Sequence, residues 1–262
     1  MEFIVIKRMD RDLFEIVRYC DERLSIAHIE DYEGAFNGLQ FQNSGVIHKI
    51  AAAVDGNLES IERAAEVGAD LLFVHHGIFW GHHTPIIKNT YKKYKALIGN
   101  DIALYSCHLP LDAHLEIGNN AIIAQKLGLT HIFSEFEFHR TKIGIIGKKK
   151  IERQAFKEFL KTIFQNFIAM EYGPRNIENI AVVSGGSGKI LDQLAQNNEF
   201  HIDTVLIGEC QQYHYNIARE NNINVYLCGH YATEIFGVNA LATEVSQKFS
   251  LPFEFIHSEC PL

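Results

Sequence analysis

Two adjacent histidines, His75 and His76, close the apolar run Leu71–Val74 in LLFVHHG. A neutral imidazole can bind a first-row metal or carry a proton near neutral pH, so the pair needs neighbours before its chemistry is defined. CHLPLDAH supplies Asp112, beside Pro110 and near His108 and His114. GHYATE supplies His230 and Glu234, four residues apart, the spacing that places two side chains on one face of a helix. Together His75, His76, Asp112, His230 and Glu234 offer three imidazoles and two carboxylates, a mixed nitrogen and oxygen set suited to Zn, Fe or Mn rather than Ca or Mg. One carboxylate bridging two ions, with a histidine terminal on each, makes a dinuclear site about 3.5 to 4 Å across that can hold a hydroxide. Plainer roles exist for each group. Buried histidines often bond backbone carbonyls, H-x-x-x-E is common on surface helices, and Asp112 could cap the helix that follows it.

Positioning these residues requires strand ends. Leu71–Val74 reads as a strand buried on both faces of a parallel sheet, and ligands of such sheets gather at the strands' carboxyl ends, where the histidine pair lies. Neighbouring side chains on a strand point to opposite faces, so two adjacent imidazoles suit two ions better than one. Before it, apolar residues at Leu13, Ile16, Val17, Cys20 and Leu24 predict a helix over 10–24, and IHKIAAAV predicts a strand over 47–54, followed by a helix over 58–67. After it, helices are expected over 89–98 and 115–127, with a strand over 102–106 between them. Two strand-like runs lie within 133–150, and a helix follows over 151–164.

The chain repeats itself. KIAAAVDGNLESIERAAEVGADLLFVHHG from Lys49 aligns with NIAVVSGGSGKILDQLAQNNEFHIDTVLIGE from Asn179. NDIALYSCHLPLDAH from Asn100 aligns with NNINVYLCGHYATE from Asn221, sharing Tyr-x-Cys at Tyr105 and Tyr226. The expectation is an α/β protein of two similar three-layer domains, residues 1–135 and 136–262, with the metal site in the cleft between them. The repeat sets His76 against Glu209, and Asp112 against the segment holding His230 and Glu234. Glu209 and His214, in GECQQYH, are candidate acid–base or substrate-contacting groups, with helix capping as their alternative. Asn37 and Gln40 could reach substrate, although such turn residues are usually structural. His82 and His83 belong to the rim or to a solvated loop.

Composition narrows the class. A formal charge of −8 over 262 residues disfavours a protein built to grip a polyanion, so nucleic acid is not an expected partner. The run Lys148–Lys150 reads as a solvated loop. Five cysteines without a C-x-x-C pair argue against a disulfide framework and a thiolate zinc site, which suits a reducing compartment. The amino terminus lacks a signal h-region and no stretch approaches the roughly 20 apolar residues of a span, so a cytoplasmic protein without membrane contact is expected.

The motifs NGLQ, FVHHGIFW, HLPLDAH and GHYATE, in that order over nearly the whole chain, resemble the NGG-interacting-factor-three-like proteins, often labelled GTP cyclohydrolase I type 2 homologues. The resemblance implies two similar α/β domains, a dinuclear metal centre between them, and assembly into a toroidal homohexamer. Matched motif by motif, it makes His75 and His76 ligands of different ions. Asp112 becomes a ligand of the first, His230 a ligand of the second, and Glu234 the bridge. Leu-Pro precedes the leucine and aspartate of the third motif, a departure from the commonest pattern, and the inserted central domain of longer members is absent. The function implied is a dinuclear metal-dependent hydrolase acting on a C–N or phosphoester centre, with a purine nucleotide as the candidate substrate. The alternative is a ring-forming metal-binding or regulatory protein without catalysis, with nucleic-acid contact as a variant.

Overall fold

The computed structural model of the chain describes residues 10–81, 85–258 and 260. His82 and His83, read above as rim or loop, lie outside the described residues. In chain order the elements are β1 (Arg11–Asp12), α1 (Leu13–Arg23), β2 (Gly38–Phe41), β3 (Val46–Ile47), β4 (Ile50–Asp55), α2 (Leu58–Glu66), β5 (Leu71–His76), α3 (Lys88–Gly99) and β6 (Ala103–Ser106). Then come α4 (Leu109–Asp112), α5 (Asn119–Leu127), β7 (Thr130–Phe138), β8 (Thr141–Glu152), α6 (Arg153–Leu160), β9 (Ile168–Glu171) and β10 (Asn176–Val183). The chain ends with α7 (Lys189–Gln196), β11 (Thr204–Ile207), α8 (His214–Glu220), β12 (Asn224–Leu227), α9 (His230–Phe249) and β13 (Phe253–Phe255). These form two compact units, one running up to Pro110 and resuming over Val238–Ser258, the other holding Leu111–Gly237.

The first unit is built on a five-stranded sheet in the order β13-β4-β5-β6-β2. Strands β4, β5 and β6 are parallel to one another, β13 adds parallel to β4, and β2 closes the other edge antiparallel to β6. Because strand side chains alternate, one face presents Ala51, Ala53, Leu72, Val74 and Leu104 to Ile61 and Ala64 of α2 and Leu97 of α3. The opposite face carries Ile50, Ala52, Leu71, Phe73 and Tyr105, all buried. Each fully buried Leu, Ile or Phe contributes about 1.5–3 kcal/mol. Helix α1 begins at Asp12, whose carboxylate accepts from Glu15 N at 2.9 Å, and buries the predicted stripe Leu13, Ile16 and Cys20.

The second unit has a six-stranded sheet, β7-β8-β10-β11-β12-β9. Its parallel centre is β10, β11 and β12, with β9 antiparallel on one edge and the β7–β8 hairpin on the other. One face packs Ile180, Val182, Leu206 and Tyr226 against Phe156 and Leu160 of α6 and Ile123 and Leu127 of α5. The lysine run 148–150 lies in β8, not in a loop: Lys149 Nζ donates to Leu127 O at 2.7 Å and sits 4.7 Å from the Phe159 ring centre.

The repeat is visible in matching devices. Asp70 Oδ2 accepts from the backbone N–H groups of His48 and Lys49 just before β4, and Asp203 Oδ2 accepts from those of Glu178 and Asn179 within β10. Tyr105 donates to Asp21 at 2.8 Å, and Tyr226 to Glu171 at 3.2 Å. In both units the central parallel strands, β4 to β6 and β10 to β12, aim their carboxyl ends at the loops that hold the candidate residues. Among the described residues no helix is long and apolar enough to cross a membrane.

Candidate functional site

In the first unit, β5 continues through the histidine pair to His76, beyond the end of the apolar run. Each imidazole is anchored on a different neighbour of β5. His75 Nδ1 lies 2.9 Å from Cys107 O, just past β6, and His76 Nδ1 lies 2.9 Å from Asp55 Oδ1, at the end of β4. A carbonyl and a carboxylate can only accept, so both rings carry their proton on Nδ1 and present Nε2 as the basic nitrogen. These anchors draw the two rings together, with 4.9 Å between centroids, despite the alternation of the strand.

A third imidazole joins them. His108, which follows β6, holds its Nδ1 2.8 Å from Asp31 Oδ1, while Asn37 Oδ1 accepts from His108 N at 2.7 Å. His75, His76 and His108 each offer a ligand atom within 4.8 Å of the other two, an arrangement that could hold a metal ion. His108 stood inside the CHLPLDAH motif but was not among the residues selected from sequence. Its signal was present in Asp31 and Asn37, whose distance along the chain hid the pairing. Asn37 therefore supports a histidine. Gln40 is also structural, its Oε1 accepting from Ile78 N and Phe79 N at 2.7 and 3.1 Å.

In the second unit, Asp112 ends α4 and is buried. Its Oδ1 accepts from Asn119 Nδ2 at 2.8 Å and from Ser184 Oγ at 3.1 Å. His230 opens α9 and Glu234 follows one turn later, so the predicted shared face exists: His230 Nε2 is 3.2 Å from Glu234 Oε1. Glu209, in the loop after β11, approaches the other ring nitrogen, with Oε1 2.9 Å from His230 Nδ1. The hydrogen bond and charge of Glu234, reinforced by Glu209 and opposed by burial, push the His230 pKa up to about 9. Glu234 is buried, and Gly185 lies so close that a Cβ there would fall on its Oε1.

The loops after β10, β11 and β12 are tied to one another. Gly185 N donates to Thr233 Oγ1 at 3.0 Å, Glu209 N donates to Gly185 O at 3.0 Å, and Gly229 N donates to Gly208 O at 3.0 Å. His214 has partners of its own, other than His230. It is buried at the start of α8, where Nδ1 accepts from Gln211 N at 3.0 Å and Nε2 lies 3.2 Å from Asp192 Oδ2. Within this unit the structure thus brings Glu209, His230 and Glu234 together, and gives His214 a place in the fold of the Glu209–His214 loop.

The family model for Duf34/NIF3 (NGG1p interacting factor 3) matches residues 12–261. A Deinococcus radiodurans protein named GTP cyclohydrolase 1 type 2 homolog is 39% identical over 93% of this chain and 92% of its own. A Pyrococcus horikoshii protein of the same name is 37% identical over 95% of this chain and 98% of its own. The crystal structure of TTHA1606 from Thermus thermophilus superposes with a TM-score of 0.87 at 32% identity, covering 96% of this chain and 100% of that one.

Proposed function

We propose that this chain, which belongs to the Duf34/NIF3 family, is a metal-dependent hydrolase whose two donor sets serve one pair of divalent ions, Zn, Fe or Mn. The proposed ligands are His75 and His76, each on a different ion, Asp112 on the first ion and His230 on the second, with Glu234 shared by both and His108 beside the histidine pair. The observation that carries the reading is the anchoring of the imidazoles: the Nδ1 atoms of His75, His76, His108 and His230 each face a carbonyl or carboxylate oxygen at 2.8–2.9 Å. Metal-ligating histidines are oriented in this way, and the donor set suits a first-row ion.

Two bound ions would supply a hydroxide at neutral pH and polarise the centre under attack. The chain's own residues do the rest. Glu209 fixes the His230 ring and is the acid–base candidate nearest to it. His214 is a positioning residue that shapes the loop carrying Glu209. The name borne by the relatives favours a purine nucleotide as substrate and a C–N bond as the target. For assembly we propose the toroidal homohexamer, whose interfaces would cover exposed apolar side chains such as Ile98, Leu115 and Ile168. Protein reloaded with Zn, Fe or Mn is to be assayed against GTP and a nucleotide panel. Turnover abolished by Glu234→Ala supports the reading; absence of any Glu234-dependent turnover defeats the enzymatic part.

A further inference from the structure

Beside the histidine trio, within the first unit, lies a cavity of about 730 Å³ lined by Phe36, Phe79, Trp80, Tyr94, Ile86 and Lys93 among others. That volume falls inside the roughly 300–1,000 Å³ range of small-molecule sites. The trio and the cavity share a wall. The Trp80 ring is 4.8 Å from that of His108 and 5.9 Å from that of His76, nearly perpendicular to both at 81° and 83°. Phe79 and Tyr94 rings lie 6.2 Å apart. Aromatic side chains are usually covered, yet Trp80 is 47% exposed and Phe36 58%.

The walls are held in place. Gln40 Nε2 donates to Phe36 O at 2.5 Å while its Oε1 accepts from Ile78 N and Phe79 N, so one buried amide fixes two sides of the cavity. Gly34 and Gly81 bring their backbones into contact at the rim: a Cβ on Gly34, whose φ is +81°, would overlap the Gly81 backbone. Lys93 is the only lysine or arginine among the described lining residues. Among the described residues no carboxylate lies within ion-pair distance of it; burial lowers its pKa, and the more distant charge of Asp55 only partly offsets this. A partly buried ammonium with no carboxylate paired to it favours an anionic group in the cavity.

We infer that this cavity takes a flat heteroaromatic ring bearing an anionic group, the ring stacked among Phe36, Phe79, Trp80 and Tyr94 and the anion at Lys93. An aliphatic chain would leave the ammonium unmatched, and a sugar phosphate would leave the aromatic walls uncovered. The inference rests on the metal reading in one respect only: it places the ring next to the histidines proposed as ligands, and so defines the substrate class of that site.

Trp80 is the one tryptophan of the chain, so intrinsic tryptophan fluorescence reports on this wall alone. The full-length protein is to be titrated with GMP, with guanosine, which lacks the anion, and with ribose 5-phosphate, which lacks the ring. Metal per chain is measured on the same samples. The expected result is saturable quenching by GMP, at least about tenfold weaker binding of guanosine, and no response to ribose 5-phosphate. Lys93→Ala should bring GMP to the guanosine level, and Lys93→Arg should restore much of the difference, both with the wild-type metal content. Equal binding of GMP and guanosine, a response to ribose 5-phosphate alone, or no saturable quenching in metal-loaded protein would overturn the inference. Quenching in a protein that holds no metal would uphold the ring site while removing the metal reading.

Discussion

Substituting Asp31 by Asn tests the support of His108 directly. The Asp31 carboxylate accepts at Oδ1 from Tyr32 N (2.7 Å) and the His108 ring (2.8 Å), and at Oδ2 from Asn37 Nδ2 (2.8 Å) and Leu109 N (3.0 Å). Every partner is a donor. The replacing amide must therefore turn its NH₂ group toward two N–H groups whichever way it is rotated, and the negative charge facing His108 is lost. Two broken bonds, both charge-assisted in the wild type because a carboxylate accepts them, predict a loss of at least about 3 kcal/mol in a site whose side chains are largely withdrawn from water. Loss of the anchor on a candidate ligand predicts a further fall of roughly 10–100-fold in metal affinity. Burial acts to raise the Asp31 pKa, but the His108 bond and the other donors overcome it and hold the carboxyl below the ordinary range. Its stabilising contribution is thus present above the unfolded carboxylate pKa and is lost as pH falls through the lower folded value. Urea unfolding of metal-free Asp31→Asn across pH, with chelator competition on the loaded form, measures each quantity. A variant within about 0.5 kcal/mol of wild type at pH 7, with unchanged affinity, would refute the reasoning.

Four further outcomes are expected. Gly185→Ala, at φ +66° with its Cβ falling on Glu234, should cost at least about 1–2 kcal/mol and lower metal affinity; Gly45→Ala, at φ +100° with open space, should show the strain alone in parallel thermal and chelator titrations. Because the His230 pKa is raised to about 9, its contribution in the metal-free protein is full below the unfolded value and lost as pH rises through about 9. Metal uptake at lower pH should accordingly release that proton and tighten as pH approaches 9, read by calorimetry in two buffers of different ionisation enthalpy. Glu209→Gln should move the His230 titration downward and weaken metal binding about tenfold, as followed by NMR and chelator competition. Leu72→Ala, fully buried between β5 and α2, should cost about 2–5 kcal/mol in urea unfolding without altering the metal content of folded protein.

The strand ending in the histidine pair, the helices after it and the two-fold repeat were legible because apolar periodicity and repeated turn residues are local signals. Boundaries failed where a side chain intervenes. The strand expected over 47–54 is divided into β3 and β4 because the His48 and Lys49 N–H groups turn to Asp70 instead of a neighbouring strand. The helix expected from 115 starts only at Asn119, since Gly118 packs against the carbonyls of Leu111 and His114 too tightly to admit a side chain. Gly38–Phe41, within and just after NGLQ, is β2, a strand too short to stand out in the sequence, whose alternation gains its meaning from pairing with β6. The last strand, Phe253–Phe255, joins β4, which begins at Ile50, a long-range choice that no local pattern encodes. At the site, His75, His76, His230 and Glu234 announced themselves by adjacency and helical spacing. His108 did not, because what marks it is the anchor it receives from Asp31.

The central claim is that the anchored imidazoles and Glu234 hold metal, and metal content per chain tests it most directly. Untagged protein purified without chelator, wild type and Glu234→Ala, is to be analysed for Zn, Fe and Mn before and after reloading. About two ions per chain in the wild type, with loss of at least one in the folded variant, is the predicted result. A wild-type protein that neither retains nor rebinds metal would contradict the account and return the four histidines to structural roles.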